Sequence, residues 1–124
     1  MVQYEQYDQI NVISWAKLHE WKWPELKLLM HIPNGGKRDV RTAAMLKASG
    51  VKPGVPDLFL PVPRGKYHGC FIELKHGKNK PSELQKQWLT DLQCMGYYAV
   101  VAVGFDEAVE HLERYMDLDK EEEE

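Results

Sequence analysis

Cys70-Phe71-Ile72-Glu73-Leu74-Lys75 is the stretch on which the reading of this chain turns. Burying an unpaired ion is costly, so two charges inside an apolar run need a reason. The run suits a strand, in which residues two apart share a face. Ile72 and Leu74 then point into a core, while Glu73 and Lys75 project together, about 7 Å apart at the backbone. Upstream, Gly54-Val55-Pro56 precedes a short strand, Asp57 to Leu60, and the turn Pro61-Val62-Pro63-Arg64-Gly65 leads into the strand Tyr67 to Lys75, which makes a hairpin. With Asp57 on the neighbouring strand, three charged groups converge on one patch. Two exposed carboxylates at a sheet end make a hard oxygen site suited to Mg²⁺ or Mn²⁺. A nearby ammonium can lower the pKa of a metal-bound water and steady a phosphate. The competing reading is an ordinary surface pair, Glu73 with Lys75, and a turn residue, Asp57, after Pro56.

Outward from the hairpin, the basic loop His76 to Lys80 is followed by a helix, Ser82 to Met95. Ser82 suits its N-cap and Gly96 its left-handed C′ position. At about 100° per residue, Gln85 falls within the apolar stripe of Leu84, Trp88, Leu89, Leu92 and Met95, which suggests that it faces a site. Equally, Ser82-Glu83-Leu84-Gln85 reads as a capping box. Tyr97 to Val103 is an apolar strand of the kind buried on both faces, and Asp106 to Met116 a final helix. Before the hairpin come a helix from Tyr4 to about Trp21, a break at Pro24, an apolar strand-like run from Leu26 to Ile32, the loop Pro33-Asn34-Gly35-Gly36, and a helix from Arg38 to Ser49 closed by Gly50. The order αβαββαβα predicts an α/β fold, a small mixed β-sheet flanked by helices. Residues 1–117 form its one domain, and 118–124 an acidic, disordered tail.

Composition bounds the function. The 124 residues fit one core, and the 44% hydrophobic and 28% charged fractions are those of a soluble globular protein. No apolar run suits a membrane span, and Met1-Val2-Gln3-Tyr4-Glu5 lacks the layout of a signal peptide, so the expectation is cytoplasmic. Cys70 and Cys94 read as buried thiols of a reducing compartment. The net charge of −3 hides a strong asymmetry along the chain. From His31 to Lys86 there are eleven Lys or Arg against four Asp or Glu, and from Phe105 to Glu124 two against ten. The basic segment is a footprint for a polyanion. Lys37, Arg38, Arg41, Lys52, Lys78 and Lys80 are its candidate phosphate contacts. Trp15, Trp21, Trp23 and Trp88 read as core or interface. His31, His68 and His76 form no ligand set by spacing.

Pro56-Asp57 followed, after fifteen intervening residues, by Glu73-Leu74-Lys75 resembles the PD-(D/E)xK nuclease superfamily. More narrowly, the chain looks like the virus-type replication and repair nuclease (VRR-NUC) domain in its compact, phage-like stand-alone form. The pieces that carry the resemblance are His31-Ile32-Pro33-Asn34-Gly35-Gly36, Gly50-Val51-Lys52-Pro53-Gly54-Val55-Pro56-Asp57, Glu73-Leu74-Lys75, Gln85 and Gly96-Tyr97, within a match from about Glu5 to Tyr115.

The resemblance implies a restriction-endonuclease-like PD-(D/E)xK fold and metal-assisted hydrolysis of phosphodiesters with Mg²⁺ or Mn²⁺. By position it gives Asp57 and Glu73 to the metal, the backbone carbonyl of Leu74 to its shell, and Lys75 to the attacking water. Asn34 would border the site, and Gln85 would face it. The acidic residue that the family carries on its first helix would be Glu5, with Glu20 as the alternative. It also implies a structure-selective DNA endonuclease, similar to Holliday-junction resolvases and acting as a homodimer on branched DNA. A nickase or flap endonuclease is the runner-up within the enzyme class. A nucleic-acid-binding subunit without catalysis is the reading from another class.

Overall fold

The computed structural model describes residues 2–33 and 39–118. Along the chain run α1 (Val2–Leu18), a 3-10 turn (Pro24–Leu28), β1 (Met30–His31), α2 (Val40–Ala48), β2 (Leu58–Leu60), β3 (Cys70–Lys75), α3 (Glu83–Cys94), β4 (Tyr98–Val103) and α4 (Gly104–Met116). The strands form one mixed sheet in the order β1-β2-β3-β4. Pairing is antiparallel from β1 to β3 and parallel between β3 and β4, which α3 joins as a crossover. The fold class and the order of elements are those expected.

Strand alternation sorts the core into two layers. Leu58, Leu60, Cys70, Ile72, Leu74 and Ala102 pack with Val12, Trp15 and Ala16 of α1 and Ala108, Leu112, Tyr115 and Met116 of α4. The α4 residues recur at helical spacing, which lays one apolar stripe on the sheet. Each fully buried Leu in this layer contributes about 1.5–3 kcal/mol, and the buried Tyr115 hydroxyl donates to the Val62 carbonyl at 2.6 Å. The opposite face carries a smaller cluster, Phe71, Leu89 and Ala99, with Phe59, Leu92 and Tyr97 against it. There α3 is held at both ends. Ser82 Oγ accepts from Gln85 N–H at 3.1 Å. At the other end the N–H groups of Gly96 and Tyr97 reach back to the carbonyls of Gln93 and Leu92. Gly96 has φ +92°, and a Cβ there would stand 2.6 Å from the His68 ring, so only glycine fits.

Several expectations need correction. The run from Leu26 to Ile32 is strand only at Met30–His31. Pro24, whose fixed φ suits a first helical position, starts a 3-10 turn that carries Leu26 into the core. Helix α1 ends at Leu18, and Trp21 is 78% exposed, although Trp15 and Trp23 are buried. Cys70 is buried but Cys94, at the last turn of α3, is exposed. Leu84 and Met95 lie at the edge of the α3 stripe and are largely exposed. β4 is half-buried in places because it forms an edge of the sheet. Helix α2, capped by Asp39 through the Thr42 N–H at 2.7 Å, buries no residue. Among the described residues no helix is long and apolar enough to cross a membrane.

Candidate active site

The register of the hairpin decides where its charges meet. Leu58 pairs with Ile72 and Phe59 with Phe71, so Asp57, one residue before β2, stands opposite Glu73. Asp57 Oδ2 accepts the Leu74 N–H at 2.8 Å. In antiparallel strands the N–H and C=O of one residue point to the same side, so the Leu74 carbonyl is directed towards the Asp57 side of β3. The Asp57 carbonyl accepts from the Ile32 N–H at 2.8 Å and from His31 Nδ1 at 2.9 Å. A carbonyl can only accept, so Nδ1 carries a proton, and in the neutral ring Nε2 keeps the lone pair.

Glu73 is 2% exposed and Lys75 9%, which overturns the expectation of exposed carboxylates at a sheet end. Lys75 Nζ lies 3.4 Å from Glu73 Oε2. Glu73 Oε1 is buried with no hydrogen-bond partner. Burial pushes the Glu73 carboxyl up to about 8, the neighbouring Asp57 charge adds to the rise, and Lys75 opposes it. Burial likewise raises Asp57, against the Leu74 N–H and the charge of Lys75. Two adjacent carboxylates whose ionisation is opposed by burial, one with an unmet buried oxygen, have the chemistry that a hard divalent cation could satisfy.

A cavity of about 570 Å³ surrounds this pair, walled by Glu5, Gln9, His31, Asp57, Glu73, Lys75 and Gln85 among others. Gln85 belongs to the capping box and is also among the residues that line the cavity. Its Oε1 accepts the Ser82 N–H at 2.9 Å, completing the capping box, and its side chain also lines the cavity. With the carbonyl oxygen committed to the cap, the amide NH₂ is the donor left over.

Glu5 is on the cavity wall, where its Oε2 accepts from Asn79 Nδ2 at 3.2 Å. It does not join Asp57 and Glu73 in a three-ligand cluster, since the described residues hold no group of three or more His, Cys, Asp or Glu placed to bind a metal. Glu20 is not in the cavity lining. Of the basic residues, Arg41 is exposed on α2, Lys52 on the loop before β2, and Lys78 and Lys80 on the loop after β3. That last loop is tied to α1 by Asn79 to Glu5 and by His76 Nδ1 to Asp8 Oδ2 at 2.9 Å. Asn34, Lys37, Arg38 and residues 119–124 lie outside the described residues. Sequence reasoning missed Gln6 and Ile10 on the cavity wall. Gln9 was within reach, because it stands one helical turn from Glu5.

A profile of the VRR-NUC domain matches residues 2–106. The chain belongs to the VRR-NUC family. A solved structure described as a VRR_NUC domain protein is 35% identical, with a TM-score of 0.81, over 93% of this chain and 89% of that one. No curated protein matches the chain. Membership of the VRR-NUC family makes the chain a nuclease of the PD-(D/E)xK type, and nucleases of that type generally use divalent metals. Asp57, Glu73, Leu74 and Lys75, the residues of this chain that resemble the motif in sequence, all line the same cavity.

Proposed function

We propose that the chain is a Mg²⁺- or Mn²⁺-dependent endonuclease that hydrolyses DNA phosphodiesters in the cytoplasm, at branched structures and as a homodimer. The observation that carries the metal is Glu73 Oε1, a buried acceptor with no partner beside a second carboxylate. Asp57, Glu73 and the Leu74 carbonyl would hold the cation, and Glu5, bound to Asn79 on the cavity wall, would act only from further out. The bound metal would supply Lewis acidity towards a phosphoryl oxygen and lower the pKa of a water.

The chain's own groups do the rest. The Leu74 N–H holds Asp57 Oδ2 and so fixes the carboxyl beside Glu73. Lys75 is 9% exposed at the cavity wall, where a positioned ammonium would act on developing phosphate charge more strongly than in solvent. Gln85 presents an amide donor from a side chain whose cap fixes its rotamer. Arg41, Lys52, Lys78 and Lys80 are exposed and suited to duplex phosphates, with Asn34, Lys37 and Arg38 assigned the same role from their sequence positions.

Two exposed apolar surfaces support self-association. Tyr4, Ile10 and Leu18 are more than half exposed on α1, and Val40 and Met45 are exposed on a helix with no buried residue. Paired cuts at a two-fold-symmetric junction need two sites on one particle. Incubating labelled four-way, flapped, nicked and linear DNA with the protein tests the reading. Metal-dependent paired cuts at the junction support it, cuts on every form return a nickase or flap endonuclease, and binding without any cuts returns a non-catalytic subunit.

A further inference from the structure

Beside the catalytic cavity, on the same face of the sheet, is a second cavity of about 390 Å³. Its walls include Ile32, Val55, Phe59, Phe71, Trp88 and Leu92, and the exposed Lys52 also contributes to its lining. Phe59 lies two residues beyond Asp57 along β2, and Phe71 two residues before Glu73 along β3. Strand alternation therefore puts this aromatic pair on the carboxylates' face, about 7 Å away. Pro33 and Val55 line both cavities. Helix α3 presents Gln85 to one and, a turn later, Trp88 to the other. The two hollows adjoin, with Pro33 and Val55 as shared wall.

The second cavity is built around positioned rings. Phe59 and Phe71 stack at 4.3 Å, and Tyr97 meets Phe71 edge-on at 5.2 Å. The Trp88 indole N–H donates to the Pro53 carbonyl at 3.0 Å. Gly54, at φ +89°, lies so close that a Cβ would stand 2.9 Å from Trp88 Cδ1, so only glycine lets the loop press on the indole. The aromatic surface is thus fixed before any ligand arrives. Its volume falls within the ~300–1,000 Å³ of small-molecule sites.

We propose that this pocket receives one unpaired nucleobase of the substrate strand, adjacent to the phosphate at Asp57 and Glu73; the proposal rests on the nuclease reading above. The half-buried Trp88 ring would accept the face of any base, with Phe59 and Phe71, stacked on each other, as apolar wall, and a lysine at the same opening suits the phosphate attached to it. An apolar side chain from a second copy would fill the walls but would leave the continuity with the catalytic cavity unused. Strands already unpaired, as at branch points and flaps, would enter without the cost of opening a duplex.

The test uses the full chain in EDTA, which removes the chemistry, and a short thymidylate single strand carrying 5-iodouracil. Its control is the same strand with abasic sugars throughout. Irradiation should cross-link the iodouracil to Trp88, Phe59 or Phe71, as mapped by mass spectrometry. The strand with bases should bind at least about fivefold tighter than its abasic counterpart. Trp88→Leu should erase that difference and Trp88→Phe should keep most of it. Cross-links confined to Lys78 and Lys80, or equal affinity for the two strands, would overturn the proposal. A change of oligomeric state in Trp88→Leu without base dependence would give the pocket to a second copy, and overturn it too. The cross-link map needs only the parent protein, so it decides the matter even if a variant folds poorly. Cleavage of duplex and branched DNA in Mn²⁺ is read in parallel. Its failure alongside aromatic cross-links would refute the nuclease reading and keep the pocket, whereas cleavage without such cross-links would refute the pocket alone.

Discussion

Lys75 and Glu73 stand two residues apart on β3 with Nζ 3.4 Å from Oε2, both almost fully buried at the wall of the candidate active-site cavity. A buried pair of this kind is weak evidence for stability, and it lines the cavity proposed above as the active site. Lys75→Met keeps the length of the side chain and removes its charge. Turnover should fall by about two or more orders of magnitude. DNA binding should survive, because the exposed lysines and arginines carry it. Single-turnover cleavage beside equilibrium binding checks this, and an equal loss in both would reduce Lys75 to a phosphate contact.

The raised Glu73 carboxyl makes a pH prediction for the metal-free protein. Its folded-state pKa, about 8, lies above the ordinary 4.5. Between those values the folded chain therefore holds a proton that the unfolded chain has released, and stability falls as pH rises. The contribution is complete below about 4.5 and is gone above about 8. Glu73→Gln cannot ionise, so in EDTA its Tm relative to the parent should climb from pH 5 to pH 8. Mn²⁺ at pH 8 should raise the parent and leave the variant nearly unmoved. Parallel Tm curves would refute the burial argument.

Gln85→Glu separates the two roles of that residue. A capping box accepts Glu as readily as Gln, and the new charge is favoured at a helix N-terminus. The variant should melt within a few degrees of the parent. In the cavity it loses the amide donor and adds repulsion against Asp57, Glu73 and the phosphodiester. Cleavage should drop at least about tenfold, roughly 1.4 kcal/mol in the barrier. Unchanged cleavage at saturating Mg²⁺ would leave Gln85 as a cap alone.

Association is checked by equilibrium sedimentation at tens of micromolar. A dimer of the 14.4 kDa chain is expected, with or without junction DNA. Met45→Glu on the uncovered α2 or Tyr4→Glu on α1 should weaken it without loss of Tm, since neither side chain is buried. A monomer under both conditions would remove the argument for paired cuts.

What could be read in advance divides along local and tertiary lines. Ser82, Gln85 and Gly96 announce both ends of α3, because caps are decided within a few residues. Glu73 and Lys75 stand out because charges at strand spacing in an apolar run demand partners. The short β1 was hidden, since an apolar run such as Leu26 to Ile32 reads the same as a strand or as a turn feeding the core. The depth of Glu73 was hidden as well, because it depends on what α1 and α3 bring over the end of the sheet. Trp88 is the clearest case. Its stripe position suits a core, and only the placement of α3 across the sheet leaves it beside an open pocket.

The most direct test of the metal-centred account is cleavage of end-labelled branched DNA by the parent, Asp57→Asn and Glu73→Gln, each in Mn²⁺ and in EDTA, with Mn²⁺ binding followed by calorimetry. The account predicts cleavage by the parent in Mn²⁺ alone, no detectable cleavage by either variant, and weaker Mn²⁺ binding in both while each remains folded. Cleavage by the parent in EDTA, or undiminished cleavage by either folded variant, would contradict it.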